Sequence, residues 1–398
     1  MILKRKKGFS LLNVVLIICL TSIVSALTTG VIVTNEYKNN TGLSYEDLVE
    51  DESLQKFIEV YSMIMSDYYE KIDSEQMLNH AMESMFEYLG DSYTTYMDQE
   101  EKDALNDRLT SNYRGIGVEI RDREIVSVLK DTPAEKAGLQ AGDVFVEIDG
   151  VDVTEYDQNK IALTIRENKN SSVKIKVLRN EEKLDFEIKL ENLVENMVTS
   201  HMIENTSIGY IGFTVFSDKI GEQFKSAVES LETNGMKSLI IDLRGNTGGY
   251  LEGAEKIANI FLEKNKIIYS LENKKEKVTT YDTTDEKRDY KIVVIMNSQS
   301  ASAAEVLAAA LKDSYGATIV GSVSYGKGKV QQTMNLDDGG LAKYTTAKWL
   351  RPNGSCVDNE GIQPDYQVEI EYIVNEENEV TSSIDHQYNK ALELLSTN

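Results

Sequence analysis

Apolar positions recur with four different rhythms along the 398 residues, and each rhythm marks a segment. Residues 9–33 form an almost uninterrupted apolar run of 25 residues, longer than the roughly 20 that an α-helix needs to cross a bilayer. A polar, turn-rich spacer follows. Helical spacing then takes over. Phe57, Ile58, Tyr61, Ile64, Met65 and Tyr68 share one face of a helix expected over 54–69, and Met77, Leu78, Ala81, Met85, Phe86 and Leu89 share one face over 74–89. Both faces are expected in a core. A short charged helix over 100–109 completes a small helical region.

From residue 112 the period becomes two. Ile116, Val118 and Ile120 alternate, then Ile125 to Val128, then Val144 to Ile148 running into Asp149-Gly150. An amphipathic helix over 156–166 separates these from Val173, Ile175 and Val177 and from Leu184, Phe186, Ile188 and Leu190. Beyond lie short strands around 208–211, 238–243, 291–296 and 318–320, with helices over 219–232, 252–261 and 303–312 between them. Such alternation argues an α/β core. A last helix is expected over 387–395. The division is therefore 1–33 anchor or signal segment, 34–111 spacer and helical region, 112–190 β-rich module, 191–372 α/β core, and 373–398 tail.

Charge adds a direction. Lys4, Arg5, Lys6 and Lys7 precede the apolar run, which places the N-terminus in the cytosol and the rest outside the membrane. A cleaved signal peptide, with Val24-Ser25-Ala26 as its processing site, competes with a retained anchor; the apolar run continuing to Val33 favours the anchor. Lys7 to Leu12 also looks like a type IV prepilin processing site, but Asn13 stands where that motif carries Glu. Four of the 42 basic residues and none of the 66 acidic ones fall in the first 33, so the remainder carries −28. That sign opposes binding to nucleic acid. Cys19 lies in the apolar run and Cys356 stands alone beyond it, so the exported part has no internal disulfide.

Two segments carry candidate chemistry. Ser300-Ala301-Ser302-Ala303-Ala304-Glu305 places a hydroxyl where a strand turns into a helix, and Tyr325-Gly326-Lys327-Gly328-Lys329 holds a lysine between glycines. A serine becomes a nucleophile when a base takes its proton, and a desolvated lysine can be that base. An exposed lysine, near 10.4, would stay protonated, so burial must lower Lys327. The three histidines lie far from both segments in sequence, and no H-E-x-x-H occurs. Gly321 to Gly328 falls one residue short of a P-loop, Gly328 replacing the Ser or Thr that would hold Mg²⁺. Asp242-Leu243-Arg244-Gly245-Asn246-Thr247-Gly248-Gly249 forms a glycine-rich turn between strand and helix, suited to presenting backbone N–H groups to an oxyanion.

Resemblance sharpens these readings. Thr132-Pro133-Ala134-Glu135-Lys136-Ala137-Gly138-Leu139-Gln140-Ala141-Gly142-Asp143 resembles a PDZ domain, and Arg114-Gly115-Ile116-Gly117 then resembles its loop for a peptide's terminal carboxylate. Adding the segment Leu89-Gly90-Asp91-Ser92-Tyr93-Thr94-Thr95-Tyr96-Met97, the glycine turn, the serine and lysine segments, Thr346 to Trp349, Pro352 to Gly354 and Gly361 to Asp365, nearly the whole exported chain resembles the carboxy-terminal processing (tail-specific) serine protease family. The resemblance implies an α+β multidomain fold with a helical N-terminal region, a PDZ module and an α/β, crotonase-like core. It implies Ser302 as nucleophile, Lys327 as general base and Gln331 orienting Lys327 from four residues on, on the lysine's side if that part is helical. Gly248 or Gly249, with the Ala303 amide, would supply the oxyanion donors. Ser92 and Thr247 replace the Pro, and the Pro or Gly, that the family often has. The implied partners are protein or peptide substrates with free C-terminal tails and, through the N-terminal helix, the cell membrane; no nucleic acid, metal or organic cofactor is implied. A homodimer or a regulatory partner is left open. The competing reading is a membrane-tethered PDZ adaptor on a silent protease scaffold.

Overall fold

A computed structural model describes residues 45–336, 339–374 and 380–396. The expected anchor or signal segment lies outside the described residues. The chain divides into two compact units, up to Met85 and from Phe86 onward. The first holds α1 (Tyr45–Glu50), α2 (Glu52–Asp67) and most of α3 (Ser74–Tyr88). Asp51 caps α2 by accepting the Ser53 and Leu54 amides. The expectation that these helices bury their apolar faces is corrected: no residue of α2 or α3 is buried, and Ile58 and Met63 are 54% and 55% exposed. Periodicity specifies an amphipathic face but not what covers it.

The second unit begins with β1 (Thr95–Met97), α4 (Gln99–Leu109) and β2 (Asn112–Gly115). A PDZ-like sheet follows, built from β3 (Val118–Arg121), β4 (Glu124–Val128), β5 (Val144–Ile148), β6 (Val151–Asp152), β7 (Ser172–Arg179) and β8 (Glu182–Lys189), with α5 (Pro133–Ala137) and α6 (Gln158–Arg166) against it. The strand order is β3-β4-β5-β7-β8, with β6 on β5, so β3 is an edge. The alternating Val173, Ile175 and Val177 are fully buried with Ile125, Phe145 and Ile161. This module leaves and returns through one neck, where β2 pairs antiparallel with β9 (Glu191–Val194).

The α/β core is a second sheet. β10 (Thr199–Met202), β11 (Ile208–Gly212), α7 (Ile220–Thr233), β12 (Ser238–Asp242) and α8 (Leu251–Phe261) precede the antiparallel pair β13 (Ile267–Glu272) and β14 (Lys277–Tyr281). β15 (Lys291–Met296), α9 (Ala303–Ala310) and β16 (Thr318–Gly321) follow, then β17 (Lys329–Asn335), β18 (Leu341–Leu350) and β19 (Tyr366–Gln367). The hairpin β20 (Glu371–Val374) and β21 (Val380–Ile384) and α10 (His386–Ser396) close the chain. The order β10-β11-β12-β15-β16-β19 is parallel except for β10. Helices cover both faces, so the central strands are apolar throughout. Leu239, Ile241, Val294 and Met296 face α7, α8 and α9, while Ile240, Val293 and Ile295 face α10. A smaller sheet, β1-β18-β13-β14 with β17 on β18, lies alongside. Strand ends thus deliver residues 243–249 and 297–302 to one rim, where α/β sheets place their sites.

Candidate active site

Two turns at that rim are tied together before any reactive group is considered. Asn297 accepts the Gly245 amide through Oδ1 at 3.1 Å, and the Ala301 amide donates to the Asn246 carbonyl at 2.9 Å. The fully buried Ser300 donates through Oγ to the Leu243 carbonyl at 2.8 Å and accepts the Asn297 amide at 3.0 Å. Its hydroxyl is consumed by this scaffold. Ser302, two residues on, stands at the N-cap of α9 with φ 57° and ψ −119°. A non-glycine residue in this region stores backbone strain and is found where the surrounding structure imposes it.

Glu305, on the first turn of α9 and fully buried, ties that serine to the lysine segment. Its Oε2 accepts the Ser302 amide at 2.8 Å and the Lys327 amide at 2.9 Å; its Oε1 accepts the Gly326 amide at 2.8 Å and the Ser324 hydroxyl at 2.6 Å. The Tyr325 amide adds a bond to the Ser300 carbonyl at 3.0 Å. The glycines flanking the lysine serve close packing: Gly326 has φ 86°, and a Cβ on Gly328 would meet Asp358 Cβ at 2.5 Å. Trp349, fully buried, donates its indole N–H to the Lys327 carbonyl at 2.8 Å.

The lysine side chain is half-buried. Desolvation pushes its pKa below the ordinary lysine value; the like charges of Lys343 and Arg108 add to that, and Glu305 and Asp91 oppose it. Its Nζ lies 4.7 Å from the centre of the Tyr93 ring. Burial and the hydrogen-bonded Tyr325 hydroxyl push Tyr93 itself up to about 12.

Gly248 packs directly on Ser302: a Cβ there would meet Ser302 Cβ at 2.8 Å and the Ala303 nitrogen at 3.2 Å. The Gly248 amide, however, is spent on Asn246 Oδ1 at 2.9 Å. Gly249, held at φ 139° with its Cα against the Phe216 carbonyl, and Ala303 at the helix N-terminus have amides without partners among the described residues. Of the three expected oxyanion donors, those two are available.

Gln331 departs from expectation. It lies on β17 rather than on a helix, after an irregularity in the pairing of Val330 and Gln331 with β18, and its Nε2 donates to Thr345 Oγ1 at 3.2 Å. No hydrogen bond joins it to Lys327 among the described residues. The resemblance carried its role, but the helical geometry offered for that role does not hold.

In the PDZ-like module, a groove of about 510 Å³ runs between the β3 edge and α6, lined by Gly115, Ile116, Gly117, Val118, Ala162 and Arg166. The Ile116 and Gly117 amides lack partners among the described residues, while their carbonyls accept Ala134 and Leu129. Arg114 is placed differently: its guanidinium donates to the carbonyls of Asn168 and Asn170, buttressing the loop after α6. Sequence reading passed over two residues. Glu305 was visible as the fourth position of a Ser-x-x-Glu capping box. Tyr93 carries no signal beyond its place in the 89–97 motif.

The chain is similar to known proteins over most of its length. Residues 207–368 match Peptidase family S41, 113–190 match the PDZ domain, and 25–101 match the activating protease CtpB N-terminal domain. The carboxy-terminal processing protease CtpB of Bacillus subtilis is 37% identical over 327 residues, which span 80% of this chain and 68% of the relative. CtpA of the same organism is 35% identical over 326 residues, spanning 80% and 70%. A probable CtpA-like serine protease of Staphylococcus aureus is 33% identical over 337 residues, spanning 83% and 68%. This chain therefore belongs to the PDZ-containing carboxy-terminal processing serine proteases of peptidase family S41.

Proposed function

We propose that the chain is an exported, membrane-anchored serine endopeptidase that captures substrate tails through its PDZ domain and cleaves by a Ser302-Lys327 mechanism. Neutral Lys327 takes the proton of Ser302 Oγ as that oxygen attacks the scissile carbonyl carbon. The oxyanion is met by the Gly249 and Ala303 amides, at the positive end of α9. Lys327 then gives the proton to the leaving amine as the peptide C–N bond breaks; neutral again, it takes a proton from the water that attacks the acyl-enzyme and passes it to Ser302 Oγ as the ester bond breaks. The tail of the substrate adds beside β3, its terminal carboxylate at the Ile116 and Gly117 amides. The basic residues 4–7 before the apolar run 9–33 support an anchor with the enzyme on the outer side.

The observation that carries the reading is the single Glu305 Oε2 accepting both the Ser302 and the Lys327 amide. It supports a common reaction centre for two segments 25 residues apart in sequence. Cleavage of an unfolded protein substrate by the parent, Ser302→Ala and Lys327→Ala chains tests it. Activity should fall by about 10⁴-fold or more in both variants, with folding intact. Persistence of cleavage in Ser302→Ala would place the nucleophile elsewhere. A silent parent that also fails to react with a serine-directed fluorophosphonate would favour the adaptor.

A further inference from the structure

Residues 89–97 have no part in the reaction as described above, yet they reach the lysine. We propose that Tyr93 is a positioning residue for Lys327: its ring is the platform on which Nζ rests and which steadies the ammonium formed when the lysine takes the serine proton. The inference rests on the Ser-Lys reading and deepens it.

The geometry begins with the ring, whose centre lies 4.7 Å from Lys327 Nζ, inside the roughly 6 Å limit for cation–π attraction. Among the described residues this Nζ has no ion-pair or hydrogen-bond partner. Lys329 Nζ also approaches the ring, at 5.7 Å, but is paired with Asp91 at 3.2 Å, so Lys327 is the cation left to the ring. The ring is fixed from both sides. Its hydroxyl is hydrogen-bonded with Tyr325. Its backbone is held by Asp91, whose Oδ1 accepts the Tyr93 amide at 3.3 Å and whose Oδ2 accepts the Thr94 hydroxyl at 2.8 Å. Thr94 Oγ1 in turn accepts the Thr345 amide of β18 at 3.0 Å. The segment is thereby fastened to the strands beside the lysine.

The surrounding charges define what the ring adds. Arg108 from α4 and Lys343 from β18 disfavour the ammonium; Glu305 from α9 and Asp91 favour it. Tyr325 and Lys329 flank it on its own segment, and Asp358 acts on Tyr93 from the loop beyond β18. An aromatic face attracts the ammonium and not the amine, without adding a proton acceptor that would compete with Ser302. Removing the face should therefore have two separable effects. The amine loses its aim, which lowers the rate. The ammonium loses a partner, which lowers the lysine pKa and moves the acid limb of the pH profile down.

The test is the pH dependence of kcat/KM and of kcat, on the full chain with an unfolded protein substrate. Tyr93→Leu removes the face. Tyr93→pentafluorophenylalanine keeps the shape but inverts the ring's charge distribution, which guards against misfolding of the first variant. Tyr93→Phe keeps the face and removes the hydroxyl. Both face-removing variants should lower plateau kcat by about tenfold or more with KM within about twofold, and move the acid limb down by roughly half to one pH unit. Tyr93→Phe should keep the parent's limb. An unshifted limb in the pentafluorophenylalanine chain, or Tyr93→Phe behaving like Tyr93→Leu, overturns the inference while leaving the Ser-Lys reading intact, provided Lys327→Ala is inactive. An active Lys327→Ala overturns both.

Discussion

At Ser302 the backbone sits at φ 57° and ψ −119°, a conformation that costs an L-residue about 1–3 kcal/mol, and Glu305 is the group that opposes its relaxation. All four bonds to this carboxylate come from donors: the amides of Ser302, Gly326 and Lys327 and the Ser324 hydroxyl. Replacing one oxygen by NH₂ turns at least one of these contacts into donor facing donor in a fully buried site. Glu305→Gln should therefore cost about 2–3 kcal/mol of stability and lower kcat by about 100-fold, with KM little changed. Denaturant unfolding beside steady-state kinetics checks both. A variant with parental kcat would show that Glu305 only stabilises the fold. At this scale residue types mark the serine-rich and lysine segments as candidate chemistry, and the family resemblance points to Ser302 and Lys327 within them. The Asn246 bond that occupies the Gly248 amide could not, because which amide of a glycine turn stays free depends on side-chain rotamers that pattern does not encode.

Elements were more legible than their partners. The apolar runs at β12 and β15, the alternation at β7 and the helix at α7 follow from periods of two and 3.6, and the structure places them within a residue or so of expectation. The periodicity of α2 and α3 points to a core face, yet no residue of either helix is buried, because a period reports an apolar stripe without naming its cover. The spacing of four would put Gln331 on the side of Lys327 only in a helix; Gln331 instead lies on β17, which begins at Lys329, beyond Lys327, with a register shift just before Gln331. The groove between β3 and α6 makes an element-level prediction. Ala162 is exposed on α6 and lines the groove, so Ala162→Phe fills it without entering the core. Binding of a fluorescent C-terminal peptide should weaken about tenfold or more, while stability changes by less than about 0.5 kcal/mol. Unchanged affinity would mean that tails bind elsewhere.

For the second unit as a whole, one sheet carries the turns at 243–249 and 297–302, and a two-stranded neck carries the PDZ domain. The neck is joined to the core near the same turns: Ser111 donates its amide to Asp218 at 2.8 Å and its hydroxyl to Ser217 at 2.8 Å, and neighbouring Phe216 exchanges backbone bonds with Gly248 and Tyr250. The Glu195 carbonyl and the Met197 amide of the returning segment both bond the Gln223 side chain on α7. The PDZ domain and the turns carrying Ser302 and Gly248 are thus joined by one continuous hydrogen-bonded frame. The most direct test is to treat the intact chain with a fluorophosphonate and locate the adduct by peptide mass spectrometry, in the parent and in Lys327→Ala. A single adduct on Ser302 is expected, formed at a rate that rises with pH through a lysine pKa below the ordinary value, and about 100-fold or more slowly without Lys327. An adduct on another serine, or equal labelling of Ser302 in Lys327→Ala, would contradict the Ser302-Lys327 mechanism.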